Sequence, residues 1–148
     1  MSLSNVFDIA GSGMTAQSIR MNTTSSNIAN ADTVSSSIDQ TYRARQPVFS
    51  VIKDNYEQSG FGLPNFGRGL PAGQGVEVLG IVESDAELQM RYEPDHPEAN
   101  EQGYVNYPNV NIVEEMANMI SASRAFQTNA DVLQAAKDMM QRVLTLGQ

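Results

Sequence analysis

Asn111-Ile112-Val113-Glu114-Glu115-Met116-Ala117-Asn118-Met119-Ile120-Ser121-Ala122-Ser123-Arg124-Ala125-Phe126 opens the stretch whose reading decides the fold, and the same pattern continues toward Gln148. Its apolar seam is Ile112, Met116, Met119, Ser123, Phe126, Ala130, Leu133, Lys137, Met140 and Leu144, with steps that alternate between four and three residues. That period predicts one amphipathic helix over 109–146. Ser123 and Lys137 are the polar exceptions, and a second apolar row adds Val132, Ala136, Met139 and Val143. Asn111 followed by Glu114 has the spacing of a capping pair, and Gly147 stands where a C-terminal cap glycine would. At 1.5 Å per residue such a helix is about 50 Å long.

The opposite end of the chain has a matching stripe. Leu3, Phe7, Ala10, Met14, Met21 and Ile28 recur at heptad-like spacing, with Gln17 and Thr24 at the intervening positions. A second row holds Val6, Ile9, Gly13 and Ala16. Gly11 and Gly13 each cost about 1 kcal/mol against alanine inside a helix, so their gain must be close approach of a neighbouring backbone. Gly11, Gly13 and the polar 22–37 stretch also predict an N-terminus that stays soft until packing orders it.

Length then separates two readings. A small domain is only about 30 Å across, so the middle of the chain cannot cover two helices of this size. They must cover each other, and their second rows must face something else. A self-contained helical hairpin is the simpler reading, but it leaves the second rows without a role.

The expected fold class is α+β: long N- and C-terminal helices (1–35 and 109–148) paired as an antiparallel coiled-coil stalk, with a small β-rich insert at 36–108. Tyr42 to Ile52, Val76 to Val82 (broken by Gly80) and Glu87 to Tyr92 read as strands. Residues 60–75 hold six glycines and two prolines and read as a loop. Pro94, Pro97 and Pro108 punctuate the return to the C-terminal helix.

Composition excludes several chemistries. The chain has 148 residues, 9 Lys+Arg against 17 Asp+Glu, and a net charge of −8. A nucleic-acid binder needs a basic footprint, and this chain has the opposite balance. There is no cysteine, so disulfides, thiolate metal sites and cysteine nucleophiles are out. His96 is the sole histidine, sits between Pro94 and Pro97, and reads as a turn residue rather than a metal ligand. Asp85/Glu87 and Glu114/Glu115 are the paired acids; the first pair suits a solvated strand face and the second a helix N-terminus. The glycine-rich stretch lacks the Gly-Lys-Ser/Thr ending of a phosphate loop. No catalytic, cofactor or metal site is expected. The N-terminus has no Lys or Arg before Arg20, so it lacks the basic region of a cleaved secretion signal, and no segment approaches the roughly 18 apolar residues of a membrane span.

Asn27-Ile28-Ala29-Asn30-Ala31-Asp32-Thr33 resembles the N-terminal signature of the flagellar axial proteins, the rod, hook and hook-associated family. Tyr92-Glu93-Pro94-Asp95-His96-Pro97, Gly103-Tyr104-Val105, Pro108 to Met116, Ser121 to Asn129 and Leu144 to Gln148 are similar to the C-terminal domain of that family. Within it, the short chain and the Tyr42-Arg43-Ala44 segment resemble the proximal rod members of the basal body. Ser35 departs from the pattern, which often has glycine there. The resemblance covers about 1–52 and 76–148, and the stretch 60–75 has no clear counterpart in it.

The resemblance implies a structural subunit exported unfolded by the flagellar type III apparatus without signal cleavage. It implies helical assembly in the periplasmic space, with other proximal and distal rod proteins, the adaptor to the membrane ring, the ring itself and copies of the chain as neighbours. The residues expected at assembly contacts are Phe7, Met14, Met21, Asn27, Ile28, Asn30, Asn111, Met116, Met119, Phe126, Leu133, Met140 and Leu144. The alternatives are another flagellar axial subunit, a coiled-coil adaptor of a type III secretion system, or an enzyme built on the β-rich part.

Overall fold

The computed structural model describes residues 3–52 and 75–146. Helix α1 spans Leu3–Ala29 and helix α2 spans Ile112–Leu146. Between them lie four strands, β1 (Arg45–Val51), β2 (Val76–Glu83), β3 (Gln89–Tyr92) and β4 (Tyr104–Tyr107). They form two antiparallel pairs, β1 with β2 and β3 with β4. The architecture is α+β, as the hydrophobic periods imply. The glycine-rich loop expected at 60–75 lies outside the described residues except for Gly75, and so does the cap expected at Gly147.

The ends of both helices follow from local chemistry. Asn111 Oδ1 accepts from Val113 N at 3.2 Å and Glu114 N at 3.5 Å, while the Asn111 carbonyl takes Glu115 N at 2.9 Å. Asn111 therefore satisfies donors that the first turn of α2 cannot pair itself. At the other boundary Asn30 Nδ2 donates to the Ser26 carbonyl at 2.8 Å, and Thr33 Oγ1 donates to the Asn30 carbonyl at 2.7 Å, closing the last turn of α1.

The helices run antiparallel. Gly13 lies against Asn129, and Arg20, two turns further along α1, reaches back to Asn118 with an Nη2–Oδ1 distance of 3.1 Å. Along α2, Glu115, Ala122 and Ala136 are buried and Asn129 half-buried, one heptad apart. The contact line thus lies one residue before the row read from the sequence at 116, 123, 130 and 137. Small side chains sit at the contact because they let the helices approach, and the large ones flank it. In α1, Ala10 and Thr24 are buried at positions of the expected stripe. Gly13 keeps space for the Asn129 side chain, not for a backbone, and a Cβ on Gly11 would meet nothing within 4 Å.

A second face of α1 carries the β1–β2 pair. Val76 N donates to Ser12 Oγ at 3.1 Å, and Ala16 and Thr23 are buried. Gly75 has φ 146°, and a Cβ there would collide with the Ser12 hydroxyl, so this crossing needs glycine. β2 runs unbroken through Gly80, where a register shift opposite Val48/Phe49 absorbs the irregularity. The β3–β4 pair turns through Gly103 at φ 80°, where a Cβ would stand 2.9 Å from the Tyr92 ring. β4 was not expected as a strand; four residues beside Gly103 are too few to show a period. It is nevertheless well held, since Ser35 and Asn106 exchange backbone bonds at 3.1 and 3.2 Å and Val105 is fully buried.

Candidate assembly surface

The asparagines of the N-terminal motif act first within the chain. Asn27 is 1% exposed. Its Oδ1 accepts from Arg45 N and from the Tyr42 hydroxyl, both at 2.9 Å, and its Nδ2 donates to the Arg45 carbonyl at 2.8 Å. One carboxamide therefore mimics a strand neighbour and fixes the start of β1 on α1. Asn109 does the same from the other end of the chain. Its Oδ1 accepts from Ala44 N at 2.8 Å and its Nδ2 donates to the Ala86 carbonyl at 3.0 Å. Arg43 adds bonds to the carbonyls of Ser84 and Ala86. Ala31, Ala44 and Val110 form the small core at this joint, with Tyr42 packed on it. Sequence reading placed Asn27 and Asn30 among the contact residues but not Asn106, nor Arg43 and Asn109, which it quoted only as motif residues, because a bond to a distant backbone leaves no periodic signal.

The expected assembly residues fall into three groups. Phe7, Met14, Met21, Ile28, Met119, Phe126 and Leu133 are half-buried along the flanks of the helix pair. Asn27, Asn30 and Asn111 are occupied at the joint and the helix ends. Met116, Met140 and Leu144 are exposed, Leu144 at 71%. They belong to wider exposed patches. Ile112, Val113, Met116 and Ile120 line one side of the beginning of α2, and Met139, Met140, Val143 and Leu144 line its end. Scattered apolar side chains at a surface are ordinary, but contiguous ones mark an interaction site.

Inside the helix pair the oxygen Oε1 of Gln17 is buried without a partner. Among the described residues no group of three or more His, Cys, Asp or Glu is placed to hold a metal. His96 Nδ1 accepts from Glu98 N at 3.1 Å, within the turn that carries Pro94 and Pro97.

Known families match both ends of the chain. The family described as flagella basal body rod protein matches residues 7–34, and the C-terminal family of flagellar basal body rod FlgEFG proteins matches 101–146. The two matches coincide with α1 and α2 and their motifs. The flagellar basal-body rod protein FlgC of Escherichia coli O6:H1 is 47% identical over 148 residues, covering all of both chains. That of Salmonella typhimurium is 45% identical over the same span. The chain belongs to the FlgC family of flagellar basal-body rod proteins.

FlgC of Borreliella burgdorferi is 37% identical over 153 residues, with 99% of that chain covered. None of these matches points to an enzyme family. Among the described residues no helix is long and apolar enough to cross a membrane.

Proposed function

We propose that this chain is a structural subunit of the proximal rod of the flagellar basal body, where its terminal helices pair as an antiparallel coiled coil and pack on those of neighbouring subunits. In that setting it carries torque from the membrane ring toward the hook. One observation carries the reading: a chain matched end to end by basal-body rod proteins leaves Met116, Ile120, Met139, Met140, Val143 and Leu144 of α2 exposed, while its buried apolar residues are alanine and valine. Burial of that surface is worth about 25 cal/mol per Å², so neighbours are the natural source of the missing stability. The heptad recurrence of Glu115, Ala122, Asn129 and Ala136 supports the coiled-coil geometry.

Neighbours in this reading are the other proximal and distal rod proteins, copies of the chain, and the adaptor that seats the rod on the membrane ring. The site of assembly is the periplasmic space, reached through the flagellar type III apparatus without a cleaved signal. Leu133 is half-buried beside the contact line, and an aspartate there places a charge in an apolar seam. Cells whose only copy carries Leu133→Asp should be non-motile and lack complete basal bodies, while Leu133→Met should swim. Normal swimming with Leu133→Asp would overturn the pairing.

A further inference from the structure

The β3–β4 pair has one finished face and one open face. On the finished face Val105 is fully buried, the Tyr107 hydroxyl donates to Glu93, and the Arg91 guanidinium stands 4.6 Å from the centre of the Tyr107 ring. The other face carries the cross-strand pairs Met90–Asn106 and Tyr92–Tyr104. Its large side chains are exposed, Met90 at 66%, Tyr92 at 65% and Tyr104 at 41%. The two tyrosine rings meet edge to face with centroids 5.3 Å apart, which steadies both rings without covering them.

Beside Met90 lies a groove of about 380 Å³ with Ile38, Ala86, Leu88 and Asn106 on its walls. Asn106 is already bonded to the Ser35 backbone and to the Ser36 carbonyl, so the group this groove lacks is an apolar one. Ile38 is itself 56% exposed. Ile38 and Met90 share the groove, Met90 and Tyr92 share a strand face, and Tyr92 touches Tyr104, so the apolar strip is continuous. Contiguous apolar surface of this kind, rich in Tyr and Met, has the composition of a protein contact.

Charge narrows the occupant. Asp85 and Glu87 stand on the same groove, exposed and without an ion pair among the described residues. Arg43 reaches the groove too, but its Nη1 is engaged by the carbonyls of Ser84 and Ala86. Residues 75–108 as a whole carry eight carboxylates against one arginine. Two such inserts repel each other, which disfavours the insert of a second copy. A lysine or arginine next to a large apolar side chain is complementary on both counts, and the exposed tyrosine rings favour the same cation.

We propose that this face docks a segment of a different polypeptide, with a large apolar side chain seated between Ile38 and Met90 and a flanking lysine or arginine on Asp85 and Glu87. The contact involves no residue of α1 or α2 and does not depend on how those helices pair or pack.

The test places the photo-reactive residue p-benzoylphenylalanine at Met90 of the full-length chain, in cells that have no other copy. Irradiation should join position 90 to a protein other than this chain, at a peptide in which Lys or Arg flanks a large apolar residue. Asp85→Lys combined with Glu87→Lys should lower the yield about tenfold or more, and Ile38→Ser should lower it as well. All three positions are exposed, so thermal melts of these variants should match the parent chain. The same probe at Val113, exposed on α2, reports helix contacts separately. No product at position 90, a product with a second copy or with a glycan, or a yield unchanged by the charge reversal would each overturn the proposal. If position 113 cross-links and position 90 does not, the rod reading stands and this contact falls.

Discussion

The carboxamide of Asn27 holds the backbone N–H and carbonyl of Arg45 and the hydroxyl of Tyr42 at once. Removing it strands buried donors and acceptors, each worth about 1–3 kcal/mol when unsatisfied. Asn27→Ala should therefore lower the unfolding free energy by about 2 kcal/mol in urea titrations, with Tyr42→Phe costing less, about 1 kcal/mol. The two helix glycines separate by sign. Gly11 faces open space, so Gly11→Ala should stabilise by up to about 1 kcal/mol through helix propensity. At Gly13 a Cβ would stand 2.8 Å from Asn129 Nδ2, so the same gain is spent displacing that side chain. Gly13→Ala should show no gain alone and recover it with Asn129→Ala, as thermal melts of the single and double variants will reveal. Residue identity alone marked Asn27 and both glycines as unusual. It did not reveal that Gly11 is idle, because that depends on what lies opposite.

At the scale of elements, the two helices were legible from their period and their caps, and Asn111 caps α2 as its spacing implied. The rotation of α2 was not. Apolar size marked Met116, Phe126 and Met140, whereas the contact line runs through Glu115, Ala122, Asn129 and Ala136, where small and polar groups allow close approach. Counting large apolar residues finds the face a helix offers to all partners, of which its own hairpin mate takes only a part. Gln17 shows what the pairing leaves unmet. Its Oε1 is buried without a donor, and Gln17→Leu removes that deficit, so the isolated chain should gain about 1 kcal/mol in chemical denaturation. Strands β1 to β3 were legible from β-forming composition. β4 was not, since its hold comes from Ser35, Asn106 and buried Val105, all non-local.

Across the whole molecule, net charge is unevenly distributed. Residues 75–108 carry eight carboxylates against one arginine, which accounts for seven of the eight net negative charges. The helices are nearly neutral, so copies can bring them together without long-range repulsion while the insert stays solvated. The Arg45–Glu83 ion pair joins two half-exposed side chains and adds little, about 0–1 kcal/mol, so the insert is held on by asparagine bonds and small buried residues more than by charge. A molecule built this way has a defined joint and incomplete helices, which suits a part of a larger axial structure. The most direct test is quantitative mass spectrometry of purified hook–basal bodies from cells carrying this chain, alongside cells lacking its gene. The account predicts the chain at levels comparable to other rod subunits, and no assembled rod in its absence. Basal bodies that are complete without it, or that contain none of it, would contradict the account.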